Sequence, residues 1–115
     1  MENMPDQLFD LEDLRATAAG DEVFLNEMVS LFISQCDSAI RDITQLKTHR
    51  NDLKLNFILH KMKSSVIVMG VTVMINLILK VEKQDMSALD DQAYAEICET
   101  VIQLMMKVND QMKSI

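Results

Sequence analysis

Almost nothing in this sequence stops a helix. Across 115 residues there are two glycines, Gly20 and Gly70, and a single proline, Pro5. Glycine interrupts helices by adding backbone freedom and proline by removing a donor N–H. Long uninterrupted helices are therefore easy for this chain, and turn-rich β architectures are hard. Apolar residues recur at spacings of three and four along most of its length, the repeat of helices with one buried face. With no Trp, one Tyr and four Phe, the core has to be built from Leu, Ile, Val and Met. Ten Met is a high count, and Met suits irregular core gaps as well as adaptable contact surfaces.

The periodicity divides the chain into a short helix and four long ones. The first covers Leu11 to Thr17, with Asp10 as N-cap, Asp13 at the acidic position of a capping box, and Gly20 as its breaker. The second runs from Asp21 to Thr48, with Phe24, Met28, Leu31, Phe32, Ala39, Ile43 and Leu46 as its apolar stripe. Asn51 and Asp52 offer caps for a third helix ending near Met69, where Gly70 accepts the left-handed conformation of a C-terminal stop. Thr72 caps a fourth, carrying Val73, Met74, Leu77, Ile78 and Val81. Asp85 to Asp91 is polar and turn-like. The last helix carries Tyr94, Ile97, Val101, Leu104, Met105, Val108 and Met112. Short connections between long helices imply antiparallel neighbours. The expected fold is one all-α domain over residues 1–115, an up-down four-helix bundle with a short extra N-terminal helix.

Charge and composition exclude several roles. The formal charge of −7 comes without the Lys/Arg clusters that neutralise phosphates, so nucleic acid is not an expected partner. No apolar run reaches the length of a membrane span, and Met1 to Asp6 lacks the basic start and apolar core of a signal peptide. A cytoplasmic location without membrane insertion is the expectation. Cys36 and Cys98 belong to no CxxC or zinc pattern and read as reduced, buried thiols. His49, in the polar Lys47-Thr48-His49-Arg50 connection, reads as a solvated loop residue. It stands 11 residues from His60 with no Cys partner at zinc spacing, so no metal site is expected. The acidic pairs Asp21-Glu22 and Asp90-Asp91 read as helix starts, where negative charge complements the dipole. No nucleophile, base and orienting acid assemble into an enzyme triad.

The third helix carries the functional signal. On a wheel of about 100° per residue, Leu55, Ile58, Leu59, Met62, Val66 and Met69 share one arc, and His60 falls roughly 160° from its centre. Leu53, Phe57, Ser64 and Ile67 lie on the same outer arc, flanked by Lys63 and, farther off, Lys61. A bundle helix normally sets charged residues opposite its core, whereas here Leu, Phe and Ile surround a histidine. Either the helix is buried on both sides or it offers its outer face to a partner, as contiguous exposed apolar groups usually do. An exposed imidazole suits the second case chemically. Its unperturbed pKa of about 6.5 leaves a free ring nitrogen near neutral pH, so it accepts a phosphoryl group without an activating base.

The segment reads His60-Lys61-Met62-Lys63-Ser64-Ser65-Val66-Ile67-Val68-Met69-Gly70-Val71. It resembles the signature of histidine phosphotransfer (HPt) domains, His-x-Leu-Lys-Gly-Ser-Ser/Ala, followed by an apolar residue, Gly and a small or apolar residue. His60, Lys63, Ser65 and Gly70 match by identity, and Met62 and Met69 in kind. Phe9-Asp10 to Leu14 and Gly20-Asp21 to Phe32 resemble the family's opening helices, and Leu79 to Glu82 its Leu-Glu ending, so the resemblance extends over nearly the whole chain. One departure stands beside the histidine. Ser64 occupies the place of a family Gly that lets the partner approach closely. Val66, in place of Ser or Ala, points to the core.

The resemblance implies a phosphorelay intermediate without kinase activity of its own. His60 would accept a phosphoryl group from the aspartyl phosphate of a receiver domain and pass it to a second receiver. Lys63 and Ser64 would support the phosphoryl site, Leu53, Phe57, Lys61 and Ile67 would dock the receiver, and Gly70 would be structural. The chain itself would carry no cofactor, since Mg2+ is expected on the receiver. The partners would be response-regulator receivers, with a hybrid sensor histidine kinase as a further candidate, and the carrier would be a monomer. The competing expectation is a degenerate HPt scaffold, a helical interaction module that uses the same face without transfer. Ser64 favours it, and the retention of His60 and Lys63 opposes it.

Overall fold

In the computed structural model, residues 6–115 are described, so Met1 to Pro5, read above for a leader, lie outside them. The described residues contain helices and no strand: α1 (Glu12–Ala18), α2 (Glu22–Thr48), α3 (Asp52–Val68), α4 (Thr72–Glu82), a 3-10 turn (Met86–Ala88) and α5 (Asp91–Lys113). The molecule is an all-α helical bundle with a short N-terminal helix, as the periodicity predicts. Antiparallel packing follows from the cross-helix contacts. Tyr94 at the start of α5 donates to the Leu46 carbonyl at the end of α2, while Asn109 late in α5 reaches Asp37 in the middle of α2. α3 and α4, joined by a tight turn at Met69 to Val71, are tied again by Lys63 and Glu82.

The caps show which local signals matter. Asp21, Asn51 and Asp90 each accept the N–H three residues on, from Phe24, Lys54 and Ala93, satisfying donors that a helix start leaves open. Two expected caps are corrected. Thr72 is the first residue of α4 rather than its cap, because the chain leaves the Gly70 turn one residue earlier than the threonine suggests, and Val71 takes the cap position with no side-chain bond. Leu11, not Asp10, is the N-cap of α1, although the Asp10 carboxylate still accepts the Glu12 N–H at 2.9 Å. The polar stretch from Asp85 contains the 3-10 turn, capped by Asp85 through the Ser87 N–H.

The core is a single cluster running from Phe9 to Met112. All six residues assigned to the inner arc of α3 are in it. In α2, Phe32, Ala39, Ile43 and Leu46 are buried and Phe24 and Met28 are half-buried against the core, but the stripe is wider than expected on one side and excludes Leu31. Leu25, Val29 and Cys36 face inward, and Leu31 is 52% exposed. α2 is apolar on more than one side near its start, and packing against α1, α3 and α5 selects the face that leaves Leu31 out. Both cysteines are buried free thiols.

At the end of α3 the sequence signal and the structure coincide. The Val71 N–H bonds the Val66 carbonyl and the Gly70 N–H bonds that of Ile67, the paired closure that needs a left-handed residue between helix and turn. Gly70 provides it, with φ +64°. The segment before α1 passes directly over this turn, where the Asp10 N–H donates to the Gly70 carbonyl at 3.2 Å. A Cβ at Gly70 would overlap the Asp10 carbonyl oxygen and stand 3.0 Å from the Asp10 backbone nitrogen. The glycine is thus required twice, for its dihedral and for the close passage of another stretch of backbone.

Candidate functional site

α3 places His60 on the outer surface, with 72% of its side chain exposed. Around it Leu53 is 83% exposed, Phe57 66% and Ile67 55%, and Lys61 and Ser64 are exposed as well. These values decide between the two readings of the helix: it is buried on one side only. Every expected site residue on α3 therefore lies on, or at the edge of, one exposed surface, and the structural Gly70 stands in the turn beyond it. Val68 and, across on α2, Leu31 extend its apolar part. A small cavity of about 110 Å³ lies between the two helices, lined by Met28, Leu31, Gln35, Ser64, Val68 and Met69 among others.

A third side chain, from α4, completes the histidine site, and helical periodicity does not reveal it. The Glu82 carboxylate accepts from Lys63 Nζ through both oxygens, at 2.9 and 3.2 Å, and its Oε2 lies 3.3 Å from His60 Nδ1. An ionised carboxylate can only accept. Nδ1 must therefore carry the proton in this contact, which leaves the lone pair of neutral imidazole on Nε2. Lys63 first, and His60 after it, hold the Glu82 carboxyl below the usual carboxylate range, which keeps the acceptor ionised. The only sequence hint was the Leu79 to Glu82 ending. The contact spans 22 residues and depends on how α3 and α4 pair.

Lys63 is not a free cation. Its ammonium is bound to Glu82, so it can meet a further anion only by changing or sharing partners. Ser64, one turn beyond His60, is exposed and forms part of the wall of the small cavity. His49 is exposed in its connection, with Nδ1 3.0 Å from the Thr48 hydroxyl. Among the described residues no group of three or more His, Cys, Asp or Glu stands together in a way that could hold a metal ion, and no helix is long and apolar enough to cross a membrane.

A larger cavity, about 770 Å³, lies elsewhere, between the segment before α1 and the end of α5, where Phe9, Asp10, Arg15 and Gln111 line it. It includes no residue of α3 and no histidine or cysteine. The residues expected to form a functional site therefore lie outside the larger cavity. No family model, curated protein or solved structure matches this chain.

Proposed function

We propose that the chain is a phosphocarrier of the histidine phosphotransfer kind, accepting a phosphoryl group on His60 from a receiver aspartate and passing it to another receiver. The observation that carries this reading is the state of His60. The ring is exposed in the middle of an apolar surface, its Nδ1–H is engaged by Glu82, and Nε2 is open. In the forward step the Nε2 lone pair attacks phosphorus in line. The N–P bond forms as the P–O bond to the aspartate breaks, and the aspartate leaves as a carboxylate. No proton needs to move. The ring becomes a cation that keeps its Nδ1–H, and the Glu82 carboxylate stabilises the charge that develops there. The return step reverses each bond change. Phosphoryl transfer of this kind depends mainly on positioning and charge. Mg2+ and the remaining catalytic groups belong to the receiver, and the carrier acts as a monomer.

The test is transfer from a panel of radiolabelled phosphorylated receivers to wild type and to His60→Gln. Acid-labile, alkali-stable label on the wild type and none on the variant is the expected result. No label from any receiver, on protein shown to be folded, would overturn the reading. Ser64 beside the acceptor supports a second reading, a receiver-binding scaffold without transfer. In that case His60→Gln binds receivers as well as the wild type does, phosphate never appears, and Ser64→Gly does not restore it.

A further inference from the structure

Charge is distributed unevenly around His60. From Leu53 to Lys83 the chain has five lysines and one acid, Glu82, which is itself bound to Lys63. The remainder holds the other 17 of the 18 acids and six of the 11 cations. This segment therefore concentrates positive charge in an acidic protein, and it carries the phosphoacceptor. Lys54, Lys61, Lys80 and Lys83 are all exposed, and none is paired with a carboxylate among the described residues. By contrast Lys47, Arg50 and Lys63 are each bound to acids. Lys61 adjoins His60 in sequence, and Lys54 lies on the Lys61 side of the α3 wheel, about 120° around from His60. Lys80 and Lys83 flank Glu82, which touches the His60 ring.

We infer that the unpaired lysines of α3 and α4 steer an acidic partner surface onto His60, so that the phosphoryl donor or acceptor is recognised by negative charge around an apolar centre. The inference rests on the phosphocarrier reading and adds the electrostatic character of the partner. The acidic remainder of the molecule repels the same partner from every other approach, so the field orients the encounter as well as accelerating it. Steering of this kind raises association rates by about ten- to a thousandfold at low salt. A long polyanion such as nucleic acid fits less well, because its backbone would run off the lysine patch onto strongly acidic surface. A compact acidic patch on a folded domain matches the footprint.

The experiment uses receiver domains phosphorylated with acetyl phosphate and follows the second-order rate of label transfer to the full chain. Raising ionic strength from about 0.01 M to about 0.15 M shortens the screening length from about 30 Å to about 8 Å. The expected outcome is a fall in rate of roughly tenfold over that range. The double variant Lys54→Glu/Lys61→Glu is expected to lose a similar factor at low salt and to show a much flatter salt dependence. Lys107→Glu/Lys113→Glu on α5 changes net charge equally and is expected to stay within about twofold of wild type. Equal losses in both double variants, or a wild-type rate indifferent to salt, would overturn the inference. Labelling of wild-type His60 by phosphoramidate, a small donor with no docking surface, separates the two levels. If it succeeds while receiver transfer ignores salt, only the steering fails. If neither phosphoramidate nor any receiver labels His60, the phosphocarrier reading fails and the steering with it.

Discussion

Replacing Gly70 by alanine tests the idea that two backbone segments meet at this turn. The left-handed dihedral alone costs a non-glycine residue about 1–2 kcal/mol. The new Cβ also overlaps the Asp10 carbonyl, so the segment before α1 must lift. That strains or breaks the bond from the Asp10 N–H to the Gly70 carbonyl, worth about 1 kcal/mol. Lower entropy of the unfolded alanine chain returns about 0.4–1 kcal/mol, leaving a net loss of about 2 kcal/mol, or a melting temperature lower by about 10 °C for a domain of this size. Gly20→Ala is the control. Gly20 also has positive φ, +88°, but nothing lies within 4 Å of an added Cβ, so it carries the dihedral cost without the collision. Thermal melts followed by circular dichroism compare the two variants with wild type. If Gly70→Ala melts no lower than Gly20→Ala, the close passage over the turn contributes nothing and the reasoning is wrong.

Tyr94→Phe removes a hydroxyl that donates to the Leu46 carbonyl and accepts the Asn51 N–H. It should lower the free energy of urea unfolding by about 2 kcal/mol at unchanged m-value, and a loss under about 0.5 kcal/mol would show that other groups or water replace it. Burial, reinforced by Asp37, pushes the Cys36 thiol up to about 12, and burial also raises that of Cys98. Neither should react with Ellman's reagent at about pH 8 until the protein is unfolded, so prompt reaction of the native chain would contradict the packing. Glu82 titrates below the usual range in the folded state, so its contribution to stability is present above about pH 4.3 and fades as pH falls through its lowered folded value. The melting temperatures of wild type and Glu82→Gln should therefore converge in acid, and a gap constant with pH would refute the ion pair's role.

The parts of this molecule legible in the sequence are those governed by neighbours along the chain. The inner arc of α3, the Asp21, Asn51 and Asp90 helix starts and the Gly70 stop all depend on residues within about one or two turns. Three- and four-residue spacing around the start of α2 supports two overlapping faces, one of which would bury Leu31, and only the neighbouring helices choose between them. Glu82 is legible as part of an ending but not as the partner of His60 and Lys63, because the contact is made across α3 and α4 and no periodicity within either helix encodes it. The link between Asn109 and Asp37, 72 residues apart, was invisible for the same reason. Charge asymmetry needed both sources. The lysines are plain in the sequence, but their freedom from carboxylate partners is a property of the fold.

His60 is the middle residue of the 17-residue α3, and both ends of that helix are fastened to other parts of the molecule. At the start, Asn51 is bound to Tyr94, while Arg50 grips Asp52, Asp91 and the carbonyls of Met86 and Leu89 and stacks 4.8 Å above the Tyr94 ring. At the finish, the Gly70 turn is crossed by the segment containing Asp10. In mechanical terms α3 resembles a beam clamped at each end with its reactive group at midspan, far from the fraying that loosens helix termini. Little backbone freedom in α3 is left to lose on binding. Under the proposed phosphotransfer, the adjustment needed to bring a phosphorus atom into line would fall on the imidazole rotamer and on the partner, and affinity and rate would respond more to the partner's loops than to any motion of this bundle.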